Sequence, residues 1–163
     1  MMTEPAMSAK PEIRFERQTG GDTRAALTLE GRDVSSLEII PFSLRIGAAI
    51  LRMDGIGGVE TEKEYRRRGY ARRLLEASVP WMRQGDAALS MLYGIADFYP
   101  KFGYATAGPE HSVELLGPFA GACLPPGWRA RPFTPADMPT LRRLYEQNTA
   151  RGVGAAVRSP AAR

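Results

Sequence analysis

Hydrophobic and polar residues alternate, or form short apolar runs, in six segments of the chain. Alternation with a period of two is typical of a strand with one buried face, and a short apolar run is typical of a buried strand. The predicted strands cover residues 13–15, 25–30, 34–40, 46–53, 56–61 and 87–93. A turn at 31–33 makes a hairpin of the second and third strands, and Asp54-Gly55 is a strong turn dipeptide. Pro41 ends the third strand or marks an edge.

Two further segments have the spacing of helices. The first covers residues 71–83, and Pro80 bounds or kinks it. The second has Thr134 as its N-cap and Pro135 at its first position. Its apolar residues recur at helical intervals and are Met138, Leu141, Leu144 and Tyr145.

Composition narrows the class of protein. The chain has 163 residues, of which 44% are hydrophobic and 25% charged, as expected for a globular domain with a core. No apolar run reaches the length of about 18 residues that a membrane span needs, and residues 1–10 lack the apolar stretch of a secretory signal. The single cysteine, Cys123, excludes an internal disulfide and a cysteine-built metal site. These features predict a cytoplasmic protein.

The charge is modestly basic and unevenly distributed. The formal net charge is +4, and arginines are concentrated between residues 63 and 73 and after residue 128. Such a surplus is compatible with nucleic-acid binding. Aromatic residues do not interleave with the arginines, however, and no helix-turn-helix or zinc-finger spacing is present, which disfavours nucleic acid as a partner.

The most informative segment is the arginine-rich turn at residues 66–71, between the strand at 56–61 and the helix at 71–83. Its sequence is Arg66-Arg67-Arg68-Gly69-Tyr70-Ala71. The first N–H groups of a helix have no intrahelical partner and lie at the positive end of its dipole, so they bind anions such as phosphate. Small residues let a ligand approach the backbone, and arginines add charged donors. The spacing is neither GxxxxGK[ST] nor GxGxxG.

Two motifs give the chain a resemblance to a known family. The turn matches the [RQ]xxGx[GA] pattern with which Gcn5-related N-acetyltransferases (GNATs) bind the pyrophosphate of coenzyme A. About 30 residues later, the sequence FYPKFGY at 98–104 resembles the family's FYxKxGF element. The run from residue 34 to about 115 is most similar to the enhanced-intracellular-survival type, which acts on amines and aminoglycosides. The resemblance implies an α/β (α+β) fold, with a mixed, mostly antiparallel sheet and flanking helices.

The resemblance also implies a set of site residues. The pantetheine arm of acetyl-CoA would pair with Val59, Glu60 and Thr61, where Gly57-Gly58 would permit a bulge. The pyrophosphate would bind at Arg66, Arg67, Arg68, Gly69, Tyr70 and Ala71. Tyr99 would protonate the leaving thiolate, because a phenol holds its proton at neutral pH; the alternative is that Tyr99 packs in a small aromatic core with its neighbours. Tyr104 is expected to pack.

The general base stays open between several groups. Glu60 lies where many family members place a glutamate, and its alternative is a solvated strand carboxylate. Survival-type relatives use a chain-terminal carboxylate supplied by a third domain. His111 titrates in a suitable range, but a lone histidine is more often structural. Cys123 has no partner histidine motif, and no ligand cluster suggests a metal.

The domain organisation predicted from these segments has four parts. They are a tail with a short strand at 1–24, the acetyltransferase core at 25–116, a Gly/Pro-rich linker at 117–128 and the truncated start of a second similar domain at 129–163. The two helices that open a typical family member and close over the acceptor site are missing ahead of residue 25. The apolar side of the helix near residue 141 would be exposed in such a chain, which favours a homo-oligomer.

The resulting functional hypothesis is an acetyl-CoA-dependent N-acetyltransferase. It would transfer acetyl directly to a primary amine of a small molecule, such as an aminoglycoside or polyamine, or of a protein. No metal and no membrane are expected to take part. The alternative is a non-catalytic acyl-CoA-binding or assembly module.

Overall fold

The computed structural model describes residues 10–95, 97–108 and 124–158. The strands are β1 (Glu12–Arg17), β2 (Thr23–Leu29), β3 (Arg32–Ile46), β4 (Ala49–Thr61), β5 (Leu89–Leu92) and β6 (Val153–Ala156). The helices are α1 (Tyr70–Met82) and α2 (Met138–Thr149), with 3₁₀ turns at Lys63–Tyr65, Tyr99–Phe102 and Pro135–Asp137. None of the helices in these ranges is long and apolar enough to cross a membrane.

One mixed sheet of six strands organises the described residues. Its order is β1-β2-β3-β4-β5, with β6 added to the outer part of β3. All pairs are antiparallel except β4 with β5, which run parallel because α1 forms the crossover between them. The predicted fold class, a mostly antiparallel mixed sheet with flanking helices, is confirmed.

The β2–β3 hairpin is tighter than the sequence predicts. Leu29 pairs with Arg32, so the loop consists of Glu30 and Gly31 alone. Both have positive φ, 51° and 80°. That conformation is typical of a two-residue hairpin turn whose twist matches the strands.

The predicted turn at Asp54-Gly55 is wrong. Both residues lie inside β4, paired with Pro41 and Ile40 of β3, and the chain reverses at Gly47-Ala48 instead. Gly55 is required by packing, because a Cβ there would lie 2.9 Å from Cε1 of Phe42. Pro41 is tolerated in β3 because it lies beyond the last residue pair with β2, at an edge of the sheet.

The core lies between α1 and one face of the sheet. Leu74 and Leu75 of α1 are fully buried against a strand surface that is made by Ala25, Leu27, Val34, Leu37, Ile39 and Ile56. The two leucines are adjacent in sequence, and both lie on the apolar side of this amphipathic helix. Pro80 lies inside the last turn of α1, which ends at Met82, one residue before the predicted end.

Two connections bear on the predicted domain organisation. β1 and β2 are joined directly by residues 18–22, with the Gln18 amide donating to the Asp22 carbonyl at 2.7 Å. Near the C-terminus, Thr134 and Asp137 form the capping box that precedes α2, and Arg131 pairs with Asp137. Hydrogen bonds from Arg131 and Thr134 hold the pKa of Asp137 well below its ordinary value. The four predicted segments remain a prediction, and residues 109–123 of the core end and linker lie outside the described residues.

Candidate active site

The parallel pairing of β4 with β5, at one edge of the described sheet, stops before β4 ends. Their ladder runs from Met53 opposite Leu89 to Ile56 opposite Leu92, where β5 ends. β4 continues to Thr61, and on that side its last five residues have no strand neighbour among the described residues. Unpaired backbone N–H and C=O groups at such an edge can pair with an extended ligand.

β4 has a bulge directly after its last pair with β5. Ser36 of β3 is opposite Glu60 and Glu38 is opposite Gly57, so β4 has one residue more than β3 in this interval. Gly58 has a φ of 57°, a conformation that is open to glycine at little cost. The bulge that Gly57-Gly58 predicts is therefore confirmed.

A buried serine fixes the end of β4 behind the bulge. The Ser35 side chain is almost fully buried, with its residue 3% exposed. Its hydroxyl donates to the Glu60 carbonyl at 2.7 Å, and its Oγ lies 2.8 Å from the Thr61 hydroxyl. Glu60 and Thr61 are thus anchored on the β3 side, which leaves the other side of the strand for a ligand.

The arginine-rich turn follows β4 through the 3₁₀ turn at Lys63–Tyr65. Arg67 and Gly69 both have positive φ, 61° and 79°, which is unusual for an arginine and marks a sharply curved backbone. Gly69 is the N-cap of α1, and no side chain caps the helix. A Cβ at Gly69 would have no neighbour within 4 Å among the described atoms, so the helix start is open to an incoming group. An uncapped helix start with small residues is suited to an anion.

The three arginines of this turn have different surroundings. Arg66 donates from Nε to the Thr61 carbonyl at 3.0 Å, which ties the turn back to β4. The Arg68 guanidinium lies 5.3 Å from the centre of the Tyr65 ring. All three arginines are exposed. The contacts of Arg66 and Arg68 do not use all of their guanidinium N–H groups, so the remaining N–H groups can donate to a ligand.

Tyr99 is held beyond β5 by a glycine and by its aromatic neighbours. It opens the 3₁₀ turn at Tyr99–Phe102, half-buried, with its ring 5.1 Å from that of Phe98. The ring also lies directly on Gly94, where a Cβ would be 2.1 Å from Tyr99 Cε2. Tyr99 Oη makes no hydrogen bond to the residues that the structure describes. The ring packs as the alternative for Tyr99 expects, and its hydroxyl has no partner among the described residues; the role of Tyr99 as an acid stays a prediction.

Tyr104 packs against the same group, as predicted. Its ring is 6.3 Å from that of Tyr99, and its hydroxyl lies 2.9 Å from Ser90 Oγ on β5. Burial raises the pKa of the Tyr104 phenol. Tyr104 is therefore a support for Tyr99 rather than a second candidate acid.

Glu60 is exposed beside a cleft of about 710 Å³ next to the bulged part of β4. The cleft has two other carboxylates, and both are neutralised. Asp33 accepts from Arg14 at 3.1 Å and from Arg24 at 3.2 Å, and Glu62 accepts from Arg32 at 2.6 Å. Within the described residues Glu60 has no ion pair, so its carboxylate is available to a ligand.

The structure adds Ser35, Tyr65 and Gly94 to the residues predicted from the sequence. Each acts through a contact with a residue distant in sequence or through a close approach, and no motif indicated them. The other proposed base, His111, and Cys123 lie outside the described residues. In the ranges that are described, no group of three potential ligand residues could hold a metal.

Comparison with known proteins identifies the family. A family model described as "Acetyltransferase (GNAT) domain" matches residues 7–107. No protein with a curated description is similar enough in sequence to count as a match.

Two solved structures agree in fold. An acetyltransferase from Trypanosoma brucei has a TM-score of 0.51 at 18% identity, over 61% of this chain and 72% of its own. A putative acetyltransferase from Agrobacterium tumefaciens has a TM-score of 0.50 at 19% identity, over 60% of this chain and 71% of its own. A probable N-acyltransferase from Enterococcus faecalis matches at a TM-score of 0.48 and 23% identity, over 50% of this chain. The chain spans 21% of the length of that last structure.

The family model confirms the family that the two motifs indicate. The survival-type subfamily and the missing opening helices remain predictions. The matched region runs from β1 to beyond Tyr104 and so contains the free edge of β4, the arginine-rich turn and Tyr99. The chain therefore belongs to the GNAT family of acetyltransferases, whose shared co-substrate is acetyl-CoA.

Proposed function

We propose that this protein transfers the acetyl group of acetyl-CoA directly to a primary amine. The observation that carries the proposal is the continuous path along β4. Its free edge at Gly57–Thr61 leads into the arginine-rich turn and the uncapped start of α1. An extended arm that ends in a pyrophosphate matches that path. The strand edge would pair with the pantetheine amides, and the turn would bind the pyrophosphate.

The reaction has three requirements: the amine must lose a proton, an oxyanion must be stabilised, and the leaving thiolate must be protonated. The amine nitrogen forms a bond to the acetyl carbonyl carbon after losing a proton, the carbonyl oxygen becomes a transient oxyanion, and the carbon–sulfur bond then breaks. In this proposal Tyr99 gives its proton to the departing thiolate. Glu60 accepts the proton of the amine, directly or through water, because its carboxylate is the one in the cleft that is not engaged by an arginine.

The acceptor is proposed to be a primary amine of a small molecule, such as an aminoglycoside or polyamine, or of a protein. An ammonium group entering the cleft would meet Glu60 before it is deprotonated. Arg24, Lys63 and Arg66 also line the cleft, so its charge is mixed. Discrimination among amines would therefore depend on shape as well as on charge.

Binding of acetyl-CoA is tested by calorimetry on a double variant, Arg66→Ala with Arg68→Ala. Each replacement should weaken binding by roughly 1.5–3 kcal/mol if its charged hydrogen bond is made. A control double variant, Arg83→Ala with Arg143→Ala, removes the same charge from exposed positions outside both the turn and the cleft. Unchanged affinity in the first variant, or equal losses in both, would refute the assigned pyrophosphate site.

A non-catalytic acyl-CoA-binding module is the second candidate. The observation in its favour is the direct β1–β2 connection at residues 18–22, where a typical family member has the helices that close over the acceptor. Thiolate release from acetyl-CoA in the presence of a panel of amines separates the two functions. Binding without amine-dependent thiolate release would favour the module.

A further inference from the structure

Two arginines from distant parts of the chain meet at one tyrosine ring. The Arg32 guanidinium, at the start of β3, lies 5.9 Å from the centre of the Tyr65 ring, and the Arg68 guanidinium lies 5.3 Å from it. Arg32 also donates to Glu62 at 2.6 Å. We call Arg32, Tyr65 and Arg68 the Tyr65 cluster.

The charge around this cluster is unbalanced. Residues 62–68 contain Lys63 and three arginines against Glu62 and Glu64, and Arg32 adds a fifth cation. Glu62 pairs with Arg32, whereas Arg68 has no ion pair among the described residues. The surroundings of the cluster therefore keep a net positive charge, which a bound anion with two charges would offset.

The cluster adjoins the arginine-rich turn without depending on its motif. Arg68 belongs to both, whereas Arg32 and Tyr65 lie outside the [RQ]xxGx[GA] pattern. Arg32 comes from the β2–β3 hairpin, 30 residues away from Glu62 in sequence, and is brought here by strand pairing. Stacking on Tyr65 limits the side-chain freedom of both arginines, which reduces the entropy lost on binding a ligand.

We infer that the Tyr65 cluster binds the 3′-phosphate of coenzyme A, an inference that rests on the proposed function. Coenzyme A has a pyrophosphate and, separately, a phosphomonoester on its ribose. The start of α1 suits the pyrophosphate, and the neighbouring cluster supplies guanidinium forks for the dianionic monoester. The cluster thereby selects coenzyme A over nucleotide thioesters that lack this phosphate.

The test compares coenzyme A with 3′-dephospho-coenzyme A by calorimetry. Wild-type protein should bind coenzyme A about ten- to a hundredfold more tightly, the range expected for charged hydrogen bonds to one phosphate. Arg32→Ala should reduce this preference about tenfold, while the affinity for the dephospho compound stays the same. Arg83→Ala, which removes an exposed arginine at the opposite end of α1, is the matched control and should keep the wild-type preference.

The outcomes separate the inference from the proposed function. If neither compound binds to wild-type protein, the proposed function itself fails. If both bind with equal affinity, the proposed function stands and the 3′-phosphate site is refuted. A preference that persists in Arg32→Ala, or that is lost equally in Arg83→Ala, also refutes the assignment to the Tyr65 cluster. The wild-type comparison needs no variant, so equal affinities refute the 3′-phosphate site even if Arg32→Ala does not fold.

Discussion

Tyr99 combines a fixed ring with a hydroxyl that has no protein partner among the described residues. The ring is fixed by Gly94, Phe98 and Tyr104, whereas a packing tyrosine of the ordinary kind also satisfies its hydroxyl, as Tyr104 does with Ser90. A preorganised acid needs this combination, because its proton must be free and its position constant.

Replacing Tyr99 by Phe tests the role of the hydroxyl. The ring contacts stay, so folding and coenzyme affinity should not change, while kcat should fall by about 10²–10³ if the phenol protonates the thiolate. Steady-state kinetics with the best amine of the panel, together with calorimetry, measure both quantities. Equal kcat in variant and wild type would leave Tyr99 with a packing role alone.

Gly94 offers an independent test of the position of Tyr99. A methyl group at Gly94 would overlap the Tyr99 ring, so Gly94→Ala should displace it and lower kcat by about tenfold or more, by analogy with other small misplacements of a catalytic group. Gly108→Ala is the control, because a Cβ there meets nothing within 4 Å. If Gly94→Ala and Gly108→Ala have the same kcat, the ring position is not important for catalysis.

At the scale of elements, the bulge in β4 joins the sheet to the proposed binding path. It shifts the register with β3, and pairing resumes at Glu60 and Thr61, which Ser35 anchors. The strand edge facing away from β3 is thereby left for a ligand. The geometry depends on the positive φ of Gly58.

Substitution of Gly58 should therefore affect both stability and binding. Gly58→Ala places a side chain in the left-handed region, which costs roughly 1–2 kcal/mol. The free energy of unfolding in urea should fall by about that amount, and acetyl-CoA should bind more weakly. Gly57→Ala is the control, because its Cβ would meet only the flexible end of Ile40, at 3.3 Å. An unfolding free energy for Gly58→Ala equal to that of Gly57→Ala would contradict a special role for the bulge.

At the scale of the whole molecule, the C-terminal part presents an apolar surface. Met138, Leu141 and Leu144 on one side of α2 are 41%, 48% and 45% exposed, and β6 links this part to the sheet through the end of β3. An amphipathic helix seldom leaves such a side in water. Self-association through α2 remains a prediction.

The association is tested by light scattering on a double variant, Leu141→Lys with Leu144→Lys. Wild-type protein should form an oligomer, and the variant should shift to the monomer because two charges would be buried in the interface. Gln147→Lys, an exposed polar position on the same helix, is the control. A monomeric wild-type protein would rule the prediction out, as would an oligomer that both variants preserve.

Features whose causes are local could be predicted from the sequence. The capping box at Thr134 and Asp137 and the glycine bulge in β4 both depend on residues within a few positions of one another, whereas the turn predicted at residues 31–33 is formed by Glu30 and Gly31 instead. The motif at residues 66–71 is also local, because a helix start and its neighbouring side chains form an anion site by themselves. The family follows from that motif and from the aromatic segment at 98–104.

Other features depend on contacts between distant residues. Asp54-Gly55 has a turn sequence, yet pairing with β3 along the whole hairpin and the Phe42 ring over Gly55 make it part of a strand. The same holds for Ser35 against Glu60, for Gly94 beneath Tyr99, and for Arg32 at Tyr65. Turn propensity and hydrophobic alternation reflect the local preferences of a few neighbouring residues. Strand pairing adds a hydrogen-bonded partner at nearly every position, and this larger stabilisation overrides the local preferences. The motifs of the sequence therefore indicate which residue types the site contains, and the pairing of the strands determines where those side chains lie.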